Sequence, residues 1–234
     1  MLVALKALPS RHRHAGLSLV ELLVGLALGL FVLAGAVGLL GSQLSENRHR
    51  VLETRLDQDL RAAALAIERD LRRAGHWGEA SAGVWREGWP VQANPYPAMT
   101  PERGVSDALR LRYSRDSTEN HRVDANEEFG FRLRNQGIDI LLGDGGWQAL
   151  TDPETLSVTA LRITPQQTEL EAPAPCARPC PPAEPGAATC PPRVLVRHYQ
   201  VEIAARSPVQ PQLERRVSTH VRVRNDAVSG RCPA

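Results

Sequence analysis

The polar and apolar positions divide the chain into three regimes. From Leu22 to Ser45 no charged side chain occurs over 24 residues. At about 1.5 Å per helical residue this run covers roughly 36 Å, enough to cross a hydrocarbon core of about 30 Å. Beyond it the apolar positions thin to a helical period. Leu44, Leu52, Leu56, Leu60, Ala64, Ile67 and Leu71 share one side, while Glu53, Arg55, Asp57, Asp59, Arg61, Arg69, Arg72 and Arg73 fall elsewhere. Proline is absent between Pro9 and Pro90, so the spacing predicts one helix from about Leu19 to Ala74, roughly 80 Å long, with Gly75 and Gly78 as its stop.

In the third regime the period shortens to two. Residues 77 to 103 carry Gly, Pro, Trp and Ala without periodicity and read as a long packed loop. Leu109, Leu111 and Tyr113 then alternate with arginines, as do Phe129, Phe131 and Leu133 with Gly130 and Arg132, and Ile138, Ile140 and Leu142 continue the pattern. A turn at Gly143-Asp144-Gly145-Gly146 precedes Trp147 and Leu150, and Leu156 to Ile163 is a further extended segment. Val194 to Ala204 and Leu213 to Arg224 predict a hairpin around Pro208 and Pro211. The pattern implies an α+β fold, a long helix on a small antiparallel sheet with one buried face.

The segment before the apolar run is short and basic, with Lys6, Arg11 and Arg13, and is expected to stay in the cytoplasm while everything after the span is exported. A secretory signal has its small-residue cleavage site after the apolar region; here Ala15-Gly16 lies before it. Cleavage after Gly16 would create a new amine at Leu17. Glu21, a carboxylate at the lip of the span, is costly to bury without a positive partner, and that amine is the missing cation.

Gly16 followed by Leu17-Ser18-Leu19-Val20-Glu21-Leu22-Leu23 resembles the class III signal of type IV prepilins. The resemblance implies a pilin-like fold, a membrane peptidase that cuts after Gly16 and methylates Leu17, and a Glu21 that pairs with the amine of a neighbouring subunit. Leu17 stands where the commonest pattern has phenylalanine, and Gly38 where major pilins carry a helix-breaking proline. Ile67-Glu68-Arg69-Asp70-Leu71-Arg72-Arg73-Ala74-Gly75-His76-Trp77-Gly78 and the closing Val221-Arg222-Val223-Arg224-Asn225-Asp226 resemble, more loosely, the PilW-type minor pilins. The expected organisation is a leader at 1–16, an assembly half-helix at 17–44, and an exported domain at 45–234 whose helix half is 45–74.

That likeness implies a priming complex at or near the pilus tip. Its partners would be other minor pilins, the major pilin, the prepilin peptidase, the inner-membrane assembly platform and, as a further candidate, a tip adhesin. The subunit would be held in the bacterial inner membrane, with its domain periplasmic, before entering the pilus on the cell surface. Two alternatives stay open: a minor pseudopilin of a type II secretion system, and a ligand- or DNA-binding module displayed on a filament.

Charge and cysteine usage sharpen this. The formal charge of +2 over 234 residues falls once the leader is removed, leaving 25 Lys and Arg against 26 Asp and Glu, so bulk charge gives no reason to expect nucleic acid as a partner. Cys176, Cys180, Cys190 and Cys232 all lie in the part expected to be exported, where disulfides persist, around a proline-rich loop that needs covalent pinning. Of three pairings, the hairpin register favours Cys190 with Cys232 and Cys176 with Cys180. A zinc site is disfavoured because the second cysteine pair is 42 residues apart.

No phosphate loop, His-Glu-x-x-His or Gly-x-Ser-x-Gly occurs, and the seven histidines are scattered. Neither an enzyme nor a cofactor or metal is expected. Asp116, Glu119, Asp124, Glu127 and Glu128 crowd one loop without matching a calcium template, so a solvated loop is the plainer reading. Arg216, His220, Arg222 and Arg224 line one face of the last strand, a solvated face in the same sense.

Overall fold

The computed structural model describes residues 16, 18–83, 92–171, 176–182 and 190–233. The expected leader up to Ala15, Leu17 and parts of the two irregular loops lie outside them. Helix α1 runs Leu19–Arg73 without interruption, and eight strands follow: β1 Ala108–Arg112, β2 Glu128–Arg134, β3 Gly137–Leu142, β4 Trp147–Ala149, β5 Ser157–Glu171, β6 Arg193–Arg206, β7 Glu214–Arg222 and β8 Ala227–Ser229. The chain divides into two units, the first ending at Val51 and the second running Leu52–Ala234. In the first unit α1 is exposed on every side, with Phe31 at 79 %.

In the second unit α1 buries Leu56, Leu60, Ala63, Ala64, Ile67 and Leu71, a repeat of three and four residues that puts one stripe against the sheets. These side chains join one core with Leu109, Leu111, Phe129, Phe131, Ile138 and Ile140 from one sheet, and Val158, Leu161, Ile163, Val201 and Ile203 from the other. Both sheets are antiparallel, in the orders β1-β2-β3-β4 and β5-β6-β7, with β8 also paired to β6. The expected α+β pilin-like architecture is therefore present, and so is the hairpin of β6 and β7. The loop after the helix is packed where it is described: Trp77, Tyr96 and Met99 are buried.

Three features differ from expectation. Strand β5 continues through Pro165 to Glu171. Pro165 pairs with Tyr199 of β6, and β6 is the one named strand beside β5. Proline is tolerated on such an edge because its missing N–H leaves no interior ladder unfilled. The second is β8, a three-residue strand that returns the tail along the start of β6.

The third is the cysteine pairing, which is Cys176–Cys232 and Cys180–Cys190, with Cα separations of 5.4 and 5.5 Å. The expected Cys176–Cys180 and Cys190–Cys232 pairs are not formed. Glu171 of β5, Arg193 of β6 and Ser229 of β8 all meet at one end of the sheet. Cys176 therefore leaves β5 where Cys232 arrives, and the short proline-rich loop closes on itself through Cys180 and Cys190.

Trp147 explains the alternation around Gly130. The indole lies over Arg132 at 4.1 Å and Arg110 at 5.7 Å. A Cβ on Gly130 would stand 3.3 Å from the ring and 2.5 Å from the Leu109 carbonyl oxygen. Glycine is required there by close approach of backbone and ring.

Candidate functional site

The N-terminal segment is built from the first turn of α1. Ser18 precedes the helix; its carbonyl accepts the Leu22 N–H at 3.1 Å and its Oγ accepts the Val20 N–H at 3.3 Å. Ser18 is thus the N-cap, a role legible in the spacing Ser18-Leu19-Val20-Glu21, serine followed three residues later by glutamate. Glu21 sits in the first turn, where a carboxylate complements the positive end of the helix dipole. Glu21 and Gly16 are both exposed. Leu17 falls outside the described residues.

The helix that carries Glu21 is long and apolar enough to cross a membrane, and none of its most apolar stretch is buried within the chain. Gly25, Gly29, Gly35, Gly38 and Gly41 would each accept a Cβ without meeting another atom within 4 Å. Among the described residues no tertiary contact demands glycine at those places.

At its other end α1 is locked by loops. Gly75 takes a positive φ of 71° just past the last turn, where glycine closes helices without strain. The Gly75 N–H donates to the Arg112 carbonyl at 2.8 Å, Asn225 Nδ2 donates to the Ala74 carbonyl at 3.0 Å, and Asn94 Nδ2 donates to the Gly75 carbonyl at 2.7 Å. Arg197, only 6 % exposed, donates to the Pro97 and Asn225 carbonyls at 2.8 and 3.0 Å. Burial holds its guanidinium below the ordinary value. Long-range side-chain hydrogen bonds therefore fix the helix exit that the sequence marks only by glycines.

The acidic loop serves the fold's own donors. Glu127 is fully buried; its Oε1 accepts the Arg115 N–H and its Oε2 the Asp124 N–H, both at 2.9 Å. Tyr96 donates its hydroxyl to the Arg122 carbonyl at 2.9 Å, and burial raises its pKa. Glu119 accepts N–H groups from Gly78 at 2.8 Å and His121 at 2.9 Å. Burial opposes its charge, yet these donors hold its carboxyl below the ordinary value. Among the described residues these carboxylates form no group close enough to share a cation; the one such grouping is Cys176, Cys180 and Cys190, whose sulfurs are in disulfides.

Asp70 is the buried acid left incompletely paired. It is 1 % exposed, its Oδ1 receives Arg69 Nε at 3.3 Å, and its Oδ2 has no hydrogen-bond partner. Burial pushes its carboxyl up, against the pull of Arg69 and Arg73. A raised folded pKa means that the folded state binds the proton more readily than the unfolded one. Stability from this group is then full below the unfolded value near 3.8 and is lost as pH rises through the folded value. Asp70→Asn is accordingly expected to keep or raise stability at pH 7, by up to about 1 kcal/mol, with a smaller difference at pH 4. Tryptophan-fluorescence melts of the full chain in detergent at both pH values check this. A variant destabilised more at pH 7 than at pH 4 would reverse the assignment.

Similarity to known families follows both ends of the molecule. Residues 49–223 match the family model described as prepilin peptidase-dependent protein B, and residues 11–37 match the prokaryotic N-terminal methylation motif. No curated protein and no solved structure matches the chain.

Proposed function

Because the chain belongs to the prepilin peptidase-dependent protein B family, and is a type IV pilin-like protein by that match and its N-terminal methylation motif, we propose that it is a PilW-like minor pilin that primes pilus assembly. These families are pilin-like structural proteins, and prepilin peptidase dependence ties the chain to the pilus assembly machinery. In this reading residues 1–16 are the leader, the peptidase cuts after Gly16 and methylates the Leu17 amine, and the domain faces the periplasm until the subunit enters the filament near its tip. Other minor pilins and the major pilin are its partners there.

The observation that carries this reading is the uncovered apolar stretch of α1, from Leu19 to Leu44, exposed throughout with Glu21 at its start. Lipid covers it before assembly, and neighbouring helices cover it afterwards. Burial among helices takes water away from Glu21, so the carboxylate needs a cation at hand, and the amine of a neighbouring Leu17 supplies one. The glycines whose Cβ positions are open allow those helices to approach closely.

Glu21→Ala tests the pairing. The variant chain is expected to be cut normally, since the carboxylate lies beyond the cleavage site. Its abundance in sheared filaments is expected to fall at least about tenfold, as a desolvated unpaired amine costs several kcal/mol, and pilus number should fall with it. Immunoblots of sheared and cell-bound fractions, with mass spectrometry of the mature N-terminus, provide the readout. Normal filament number with normal incorporation would remove the charge pair from the mechanism.

A further inference from the structure

The second unit holds a cationic cleft that the assembly reading does not use. A cavity of about 710 Å³ is lined by Arg69, Arg72, Arg73, His76, Arg115 and Arg224. A neighbouring cavity of about 350 Å³ shares Arg69, Arg72, Arg73 and Arg224. The three arginines of the last helical turns complement the negative end of the helix dipole. Arg115 follows β1 and Arg224 follows β7, so helix electrostatics gives no reason for either to be there.

Carboxylates neutralise only part of this set. Glu68 pairs with Arg72, and Asp70 meets Arg69 from the buried side. Among the described residues no carboxylate lies within ion-pair distance of Arg73, Arg115 or Arg224, and all three are exposed. Arg73 lies beside the Tyr113 hydroxyl. Asp70 offsets part of the Arg73 charge, and the like charges that remain around the hollow repel each other until an anion enters.

The floor indicates which anion. Tyr113 and Phe129 stack on each other with centroids 3.9 Å apart and planes 1° apart, and are 8 % and 2 % exposed. Each ring face is therefore taken, and a nucleic-acid base would find no platform on which to stack. The chain beyond the leader also lacks the excess positive charge that tracks a phosphate backbone. Guanidinium forks around a discrete cleft match carboxylates presented singly or in a short run.

We propose that this cleft binds an acidic peptide segment of a partner protein, with Arg73, Arg115 and Arg224 as the carboxylate-binding groups. The test uses the full chain in detergent micelles, with a fluorescein-labelled hexaglutamate peptide and a labelled twelve-residue oligothymidylate as probes, read by fluorescence anisotropy. Hexaglutamate is expected to bind and to weaken as salt is added. Arg115→Gln and Arg224→Gln, on separate elements and without carboxylate partners to lose, should each weaken binding about tenfold. Arg162→Gln, on the exposed face of β5, should leave it unchanged. Absence of hexaglutamate binding, unchanged affinity in both cleft variants, an equal loss in Arg162→Gln, or oligothymidylate binding as tightly as the peptide would each overturn the proposal.

Discussion

Replacing Gly16 by leucine is expected to leave the chain at precursor length and to lower the amount of mature protein about a hundredfold. A peptidase pocket shaped for a residue without a side chain discriminates against added carbons on that scale. The loss would be specific to processing, because among the described residues nothing stands within 4 Å of a Cβ on Gly16, so the substitution meets no part of the described fold. Gly16→Ala, adding one carbon, should be cut far better. Immunoblotting for the size shift and mass spectrometry of the N-terminus check both. A Gly16→Leu chain that still begins at Leu17 would place the cleavage requirement elsewhere.

Gly143→Ala is expected to lower the melting temperature by about 10 °C. Gly143 has a φ of 57°, and a Cβ there would meet Asn126 Cα, O and C at 2.6, 2.6 and 2.8 Å. Those are backbone atoms of the one-turn helix Ala125–Glu127, which buried Glu127 anchors, so they cannot swing aside. Positive-φ strain and overpacking together cost about 3 kcal/mol or more, and a domain of this size loses about 2–4 °C per kcal/mol. Gly145→Ala, two residues on, would meet only the end of the Gln148 side chain at 3.4 Å and should be nearly silent. Equal melting temperatures for the two variants would mean that the Asn126 backbone yields.

The parts of this architecture legible in the sequence are those governed by local period. An apolar run, a helical repeat and the lack of proline between Pro9 and Pro90 suffice for α1, and alternation suffices for β1, β2, β3 and the hairpin of β6 and β7. Strand β5 reads as ending at Pro165, because proline ordinarily marks the end of a strand unless its edge position is known. Strand β8 is too short to carry a period, and without it the meeting of Cys176 and Cys232 has no visible cause. Gly143 reads correctly as a turn residue, but its tight approach to Asn126 depends on a contact 17 residues away in the chain. The arginines of the cleft come from positions 69–73, 115 and 224; only the sheet topology brings them together. The N-terminal motif is legible because its residues are contiguous.

The Cys176–Cys232 bridge, spanning 56 residues, also fixes how the molecule would carry a mechanical load. A pull applied to the C-terminus passes through sulfur to the end of β5 and does not peel β8, β7 and β6 away in turn. Those three strands lie inside a covalent ring, shielded from tension. The force arrives instead along β5, whose long pairing with β6 is stressed in shear, the direction in which many backbone hydrogen bonds must fail together. In the proposed filament subunit, the bridge turns the weakest end of the sheet into a tether.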